Sequence, residues 1–135
     1  MVFLDASAII YLLEGEPTVR QAARETLMRQ AEPRAEGAIA VSALSLLECR
    51  VHPARNADLD RLAAFDAFFG DPGLTIVDLT RDVIDCATQL RAQNGIRTPD
   101  ALQAASCFEL APDTPFVTGD RDFRRVPALN VHLIG

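Results

Sequence analysis

Apolar residues recur along this chain in two rhythms. Short, mostly apolar runs appear five times: Val2–Asp5, Ala38–Ser42, Leu74–Leu79, Pro115–Gly119 and Asn130–Ile134. Each is of strand length and carries few polar breaks, as strands buried on both faces do. Between them lie longer segments with apolar positions at helical spacing.

The first of these is "SAIIYLLEG", with Ser7 as the expected N-cap and Gly15 as the stop. "PTVRQAARETLMRQAEPR" is rich in Ala, Leu, Arg and Glu and places Pro17 in its first turn. Ser42 is positioned to cap "ALSLLECRV". "ARNADLDRLAAFDAFFGDPG" predicts a helix with Leu59, Leu62, Ala63, Phe65, Ala67, Phe68 and Phe69 on its apolar side. Thr80 caps "RDVIDCATQLRAQNG", with Val83, Ile84, Ala87 and Leu90 inward and Asn94-Gly95 as the stop. "RTPDALQAASCFEL" predicts a helix with Thr98 as N-cap and Pro99 at its first position.

Strands alternating with helices predict an α/β fold, a parallel sheet with helices on both faces. With 135 residues the chain is long enough for one domain with a real core, expected to span residues 1–135. Such sheets bind ligands at the carboxyl ends of their strands, where strand order reverses.

Composition narrows the chemistry. The net charge is −6, a poor match to a duplex-binding protein with a broad basic face. The three cysteines, Cys49, Cys86 and Cys107, form no CxxC and stand at no zinc spacing from His52 or His132. They read as reduced core thiols, which fits a reducing compartment. The N-terminal apolar stretch is interrupted by Asp5 and has no basic leader, so the expected location is cytoplasmic, away from membranes.

The acids then stand out by position. Asp5 ends the first strand, and Asp120 and Asp122 follow the fourth in "VTGDRDF". Glu48 lies about two turns into the helix after strand two, and Asp100 in the first turn of "TPDALQAAS". Each has an ordinary reading alone: helix entry, turn building, an exposed helix position, or an acid favoured by the helix dipole. Together they converge on one sheet edge, where clustered carboxylates must protonate or bind cations. An oxygen-only set without His or Cys suits Mg²⁺ or Mn²⁺.

The pieces "VFLDASAIIYLLE", "VSALSLLE", "RTPDALQAA" and "VTGDRDF", in this order and spacing, resemble the PIN-domain nucleases, and most closely the VapC-like toxins of bacterial toxin–antitoxin pairs. The resemblance spans essentially the whole chain. It implies a three-layer α/β/α sandwich with a parallel sheet of four to five strands. It implies an endoribonuclease dependent on one or two Mg²⁺ or Mn²⁺ ions. Asp5, Glu48, Asp100 and Asp120 match the family's catalytic, metal-binding quartet. Asp122 matches a further acid, expected to act behind the direct ligands, and Ser7 and Thr118 match small polar residues of the pocket.

The implied partners are an RNA substrate (tRNA, rRNA or mRNA), a cognate antitoxin and a second copy in a homodimer. Arg97, Arg121 and Arg124, with Arg50 and Arg125, are candidates to hold flanking phosphates, or else a solvated charged rim. Phe65, Phe68 and Phe69 are core, or part of a groove for a partner helix or dimer seam. Two alternatives stay open: a PIN nuclease of RNA processing without an antitoxin, and a silent PIN module that only binds a partner. A receiver or a haloacid-type phosphatase is disfavoured, because the chain has no lysine and carries Ser7 where the phosphatase needs a second Asp.

Overall fold

In the computed structural model, residues 1–31 and 38–135 are described. Elements run β1 (Val2–Leu4), α1 (Ala6–Glu14), α2 (Pro17–Ala31), β2 (Ile39–Ser42), α3 (Leu44–Arg55), α4 (Leu59–Phe69), β3 (Thr75–Val77), α5 (Arg81–Asn94), α6 (Thr98–Phe108), β4 (Phe116–Thr118) and β5 (Val131–Leu133). A 3₁₀ helix over Arg121–Arg125 joins β4 to the approach to β5. The Glu32-Pro33-Arg34 end expected for the second helix lies outside the described residues.

All five strands pair in parallel, in the order β3-β2-β1-β4-β5. The expected α/β sheet is therefore present, with five strands. Its order reverses between β1 and β4, so their carboxyl ends flank the crevice where such sheets bind ligands. Alternate strand residues feed two cores. Phe3, Ala40 and Phe116 pack with α5 and α6, while Val2, Leu4, Val41 and Val117 pack with α1, α3 and α4. That period of two places helices on both faces, giving the three-layer α/β/α sandwich. Phe116 stacks on Phe3 with centroids 5.2 Å apart and meets Phe123 of the 3₁₀ helix at 4.6 Å, which pins that helix to the sheet.

Several local expectations are corrected. Asp5, not Ser7, caps α1: its carboxylate accepts from the Ala8 N–H at 2.9 Å. Arg97, not Thr98, stands at the start of α6 without a side-chain cap, so Thr98 and Pro99 are its first two residues. Glu48 is the fifth residue of α3, about one turn in rather than two. The helix expected from Ala54 begins at Leu59, behind an Asp58 cap, because α3 runs on to Arg55. Leu59, Ala63 and Ala67 are exposed, and Phe65 and Phe69 alone of that helix are buried. Ile84 faces solvent, while Val83 and Ala87 are buried.

Other signals hold. Gly95 ends α5 in the left-handed region at φ 63°, and Thr80 caps it by accepting from the Val83 N–H at 3.3 Å. Thr80→Ala is expected to cost about 1 kcal/mol in urea denaturation. An unchanged midpoint would show that packing of Val83 and Ala87 alone sets the start of α5. The three cysteines are free; burial pushes the Cys49 and Cys107 thiols up to about 12, so both are inert at neutral pH. No helix among the described residues is long and apolar enough to cross a membrane.

Candidate metal and nuclease site

Four parts of the chain bring acids to the carboxyl edge of the sheet. β1 leads into Asp5, α3 presents Glu48, α6 presents Asp100 in its first turn, and β4 leads into Asp120 and Asp122.

Asp5 is almost wholly buried and accepts three hydrogen bonds. Ser7 Oγ donates to Oδ1 at 2.7 Å, the Ala8 N–H to Oδ1 at 2.9 Å, and Thr118 Oγ1 to Oδ2 at 2.6 Å. Burial still pushes its carboxyl up to about 6, against the pull of those donors and with help from Glu48. Thr118 in turn accepts the Asp120 N–H at 3.0 Å, and Ser7 Oγ accepts the Gly119 N–H at 2.9 Å. Ser7 and Thr118 thus join the end of β1 to the end of β4. A Cβ at Gly119 would meet the Tyr11 ring, so a larger residue there would need that ring to move.

The expected turn after β4 is a cap. Asp120 Oδ1 accepts the Asp122 N–H at 2.9 Å and opens the 3₁₀ helix. That cap sets Asp122 beside Asp120 and Asp100. One carboxylate oxygen from each of the three lies within 4.8 Å of the others. Asp100 is buried, and its carboxyl is raised by that burial, lowered by Arg97, and raised again by Asp120 and Asp122. The Glu48 carboxyl is raised first by burial, with Gln103 opposing and Asp100 reinforcing. The acids thus interact in a chain, Asp5 with Glu48, Glu48 with Asp100, and Asp100 with Asp120 and Asp122.

This arrangement fits a hard divalent cation. The donors are all oxygen, three converge, and their mutual repulsion is what a cation relieves. Asp5 and Glu48 lie outside the group of three, although sequence reasoning set Asp5 among the direct ligands and Asp122 behind them.

The arginines divide. Arg50 is paired with Asp66 at 3.2 Å, and Arg97 leans on Asp100 at 3.4 Å. Arg121, Arg124 and Arg125 are exposed on the 3₁₀ helix, and among the described residues no ion pair holds Arg121 or Arg124. Between α3 and α4 runs a groove of about 550 Å³ lined by Leu46, Leu47, Val51 and Leu62. Of the two readings open for the phenylalanines, core or groove, core holds: Phe65 and Phe69 are buried in it and Phe68 packs against it. Sequence reasoning also missed Gln103, a buried amide between α6 and α3 that donates to Glu48 at 2.8 Å.

A parallel sheet reversing at β1 and β4, with carboxylates crowding that crevice, defines the class, and the family match agrees with it. The PIN domain model matches residues 2–129, and the chain belongs to the PIN domain family. No curated protein matches its sequence. Solved structures share the fold. VapBC2 from Rickettsia felis, bound to a DNA fragment from their promoter, aligns with a TM-score of 0.76 at 20% identity over 100% of both chains. FitAcB from Neisseria gonorrhoeae aligns at 0.73 and 18% identity over 97% of this chain and 96% of that one. VapBC-5, of the VapBC family of toxin-antitoxin systems from Mycobacterium tuberculosis, aligns at 0.62 and 22% over 98% and 96%.

Proposed function

We propose that this chain is a divalent-metal-dependent endoribonuclease and the toxin of a toxin–antitoxin pair. The observation that carries the reading is the convergence of Asp100, Asp120 and Asp122, with Glu48 and Asp5 linked to them, at the crevice of a PIN domain. PIN domains are nucleases, and the toxin assignment draws on solved neighbours that include a toxin-antitoxin complex. Residues 1–135 then form one PIN domain that works in the cytoplasm.

Asp100, Asp120 and Asp122 would hold Mg²⁺ or Mn²⁺, with Glu48 and Asp5 facing the same space. Such an ion supplies Lewis-acid polarisation of a phosphate and lowers the pKa of water in its shell. The protein's own groups do the rest. Glu48 orients the attacking water. Asp5, fixed by Ser7 and Thr118, sets the field at the base of the crevice. Arg121 and Arg124 hold flanking phosphates, and their small number limits affinity without selectivity. In-line attack by water leaves 5′-phosphate and 3′-hydroxyl ends and makes no use of the 2′-hydroxyl. The α3–α4 groove offers an apolar seat for a segment of the antitoxin or for a second copy.

The test is cleavage of a mixed tRNA and rRNA pool by wild type and Asp100→Asn, with Mg²⁺, with Mn²⁺ and with EDTA. Discrete cuts with 5′-phosphate ends are expected from wild type with metal, and none from the variant or in EDTA. Equal cutting by both proteins, or cutting in EDTA, would overturn the metal-nuclease reading.

A further inference from the structure

We propose that Gln103 is a positioning residue that holds Glu48 in its working orientation. The inference rests on the nuclease reading above and assigns a role within the same site.

Asp100 and Gln103 are three residues apart on α6, so they share a helix face. Ser45 and Glu48 are likewise three apart on the facing helix α3. The Gln103 amide bridges the two helices, with Nε2 donating to Ser45 Oγ at 2.9 Å and to Glu48 Oε1 at 2.8 Å. Both amide hydrogens are thereby used. Among the described residues no other group donates to Glu48, so its second oxygen stays available to the site.

The other half of the amide explains why this is more than packing. Gln103 is 2% exposed, and its Oε1 is enclosed without a hydrogen-bond partner. A buried carbonyl left unpaired is unfavourable. The reversed amide would set that carbonyl against the Glu48 carboxylate, so the charge fixes the orientation and strands the oxygen. An apolar side chain of equal length would fill the space without this defect. The amide is therefore kept for its donor end.

The mount is rigid. Ser106, three residues further along α6, donates to Ser42 Oγ at 2.9 Å, which ties the helix to the end of β2. Asp100 and Gln103 move as one body with that helix, so the distance from Glu48 to the three-acid group is set through the amide.

The experiment compares Gln103→Met in the wild-type and Glu48→Gln backgrounds. Methionine keeps the length and deletes both the donor and the stranded carbonyl. Cleavage should fall roughly 10–100-fold in the wild-type background and less than about twofold in the Glu48→Gln background. The thermal midpoint in EDTA should stay within a few degrees of wild type, the stranded carbonyl and the two donated bonds being lost together. Equal losses in both backgrounds, or a loss matched by a midpoint lowered beyond that, would assign Gln103 to structure and overturn the proposal. A second readout needs no activity. The Glu48 ¹³Cδ resonance, assigned by its absence in Glu48→Gln, should shift in Gln103→Met. An unmoved resonance overturns the contact; a shifted one in a protein that cuts no RNA sinks the nuclease reading and leaves the contact standing.

Discussion

Asp5→Asn is expected to lower metal-dependent cleavage by at least roughly a thousandfold and, in EDTA at pH 8, to raise the thermal midpoint. The two effects have one cause. Asp5 is 4% exposed, and three donors do not repay the loss of water around its charge. Its carboxyl is raised from 3.8 to about 6, so the folded state carries a penalty of about 3 kcal/mol at any pH above that value. The penalty is absent below about pH 4, where the group is protonated in both states, and grows as pH rises from 4 to 6. Asparagine keeps an oxygen for Ala8 and Ser7 and turns an NH₂ toward Thr118 Oγ1. Part of the 3 kcal/mol returns, about 1–2 kcal/mol, or roughly 4–7 °C. Adding Mn²⁺ should stabilise wild type by about 2.7 kcal/mol at a hundredfold excess over Kd, and the variant by much less. A variant that melts below wild type in EDTA would show that the three hydrogen bonds outweigh the burial of the charge.

The same tension explains what could be read from the chain beforehand. Asp5, Asp100 and Asp120 were legible because each follows a strand or opens a helix, and the sheet's topology carries such positions to one edge. Cap identities were less legible. In "LDASA" both Asp5 and Ser7 are good caps, and only the extent of β1 decides between them. Ile84 fits a helical stripe with Val83, Ala87 and Leu90. Yet α5 packs on the small-residue face of α6, where Ala101, Ala104 and Ala105 admit a narrow ridge, and Ile84 falls outside it. Asp122 read as an acid behind the direct ligands, because "GDRDF" looks like an open turn; a 3₁₀ helix anchored by Phe123 sets it beside Asp100 and Asp120. Gln103 was invisible for the opposite reason. One amide among alanines carries no periodicity signal, and its partner lies 55 positions away on another helix.

Thr118→Val should cost about 2–4 kcal/mol and loosen the site at its seam. Thr118 is fully buried and isosteric with valine, so packing is conserved and the change isolates the hydroxyl. That hydroxyl donates to Asp5 Oδ2 at 2.6 Å and accepts the Asp120 N–H at 3.0 Å. Valine leaves a buried carboxylate oxygen short of a donor, and a hydrogen bond to a charged group contributes about 1.5–3 kcal/mol. It also releases the Asp120 N–H, leaving Ser7 to join Asp5 to the turn after β4. The cost should therefore depend on the charge of Asp5. In the Asp5→Asn background the same substitution should cost only about 1 kcal/mol, and urea titrations of the four proteins in EDTA give the coupling directly. Equal costs in both backgrounds would mean that Thr118 is held by burial alone and that Asp5 and Asp120 are set independently. The expected inequality would make β1 and β4 a single mount, in which the carboxylate that destabilises the fold is also the one the neighbouring strand is built to hold.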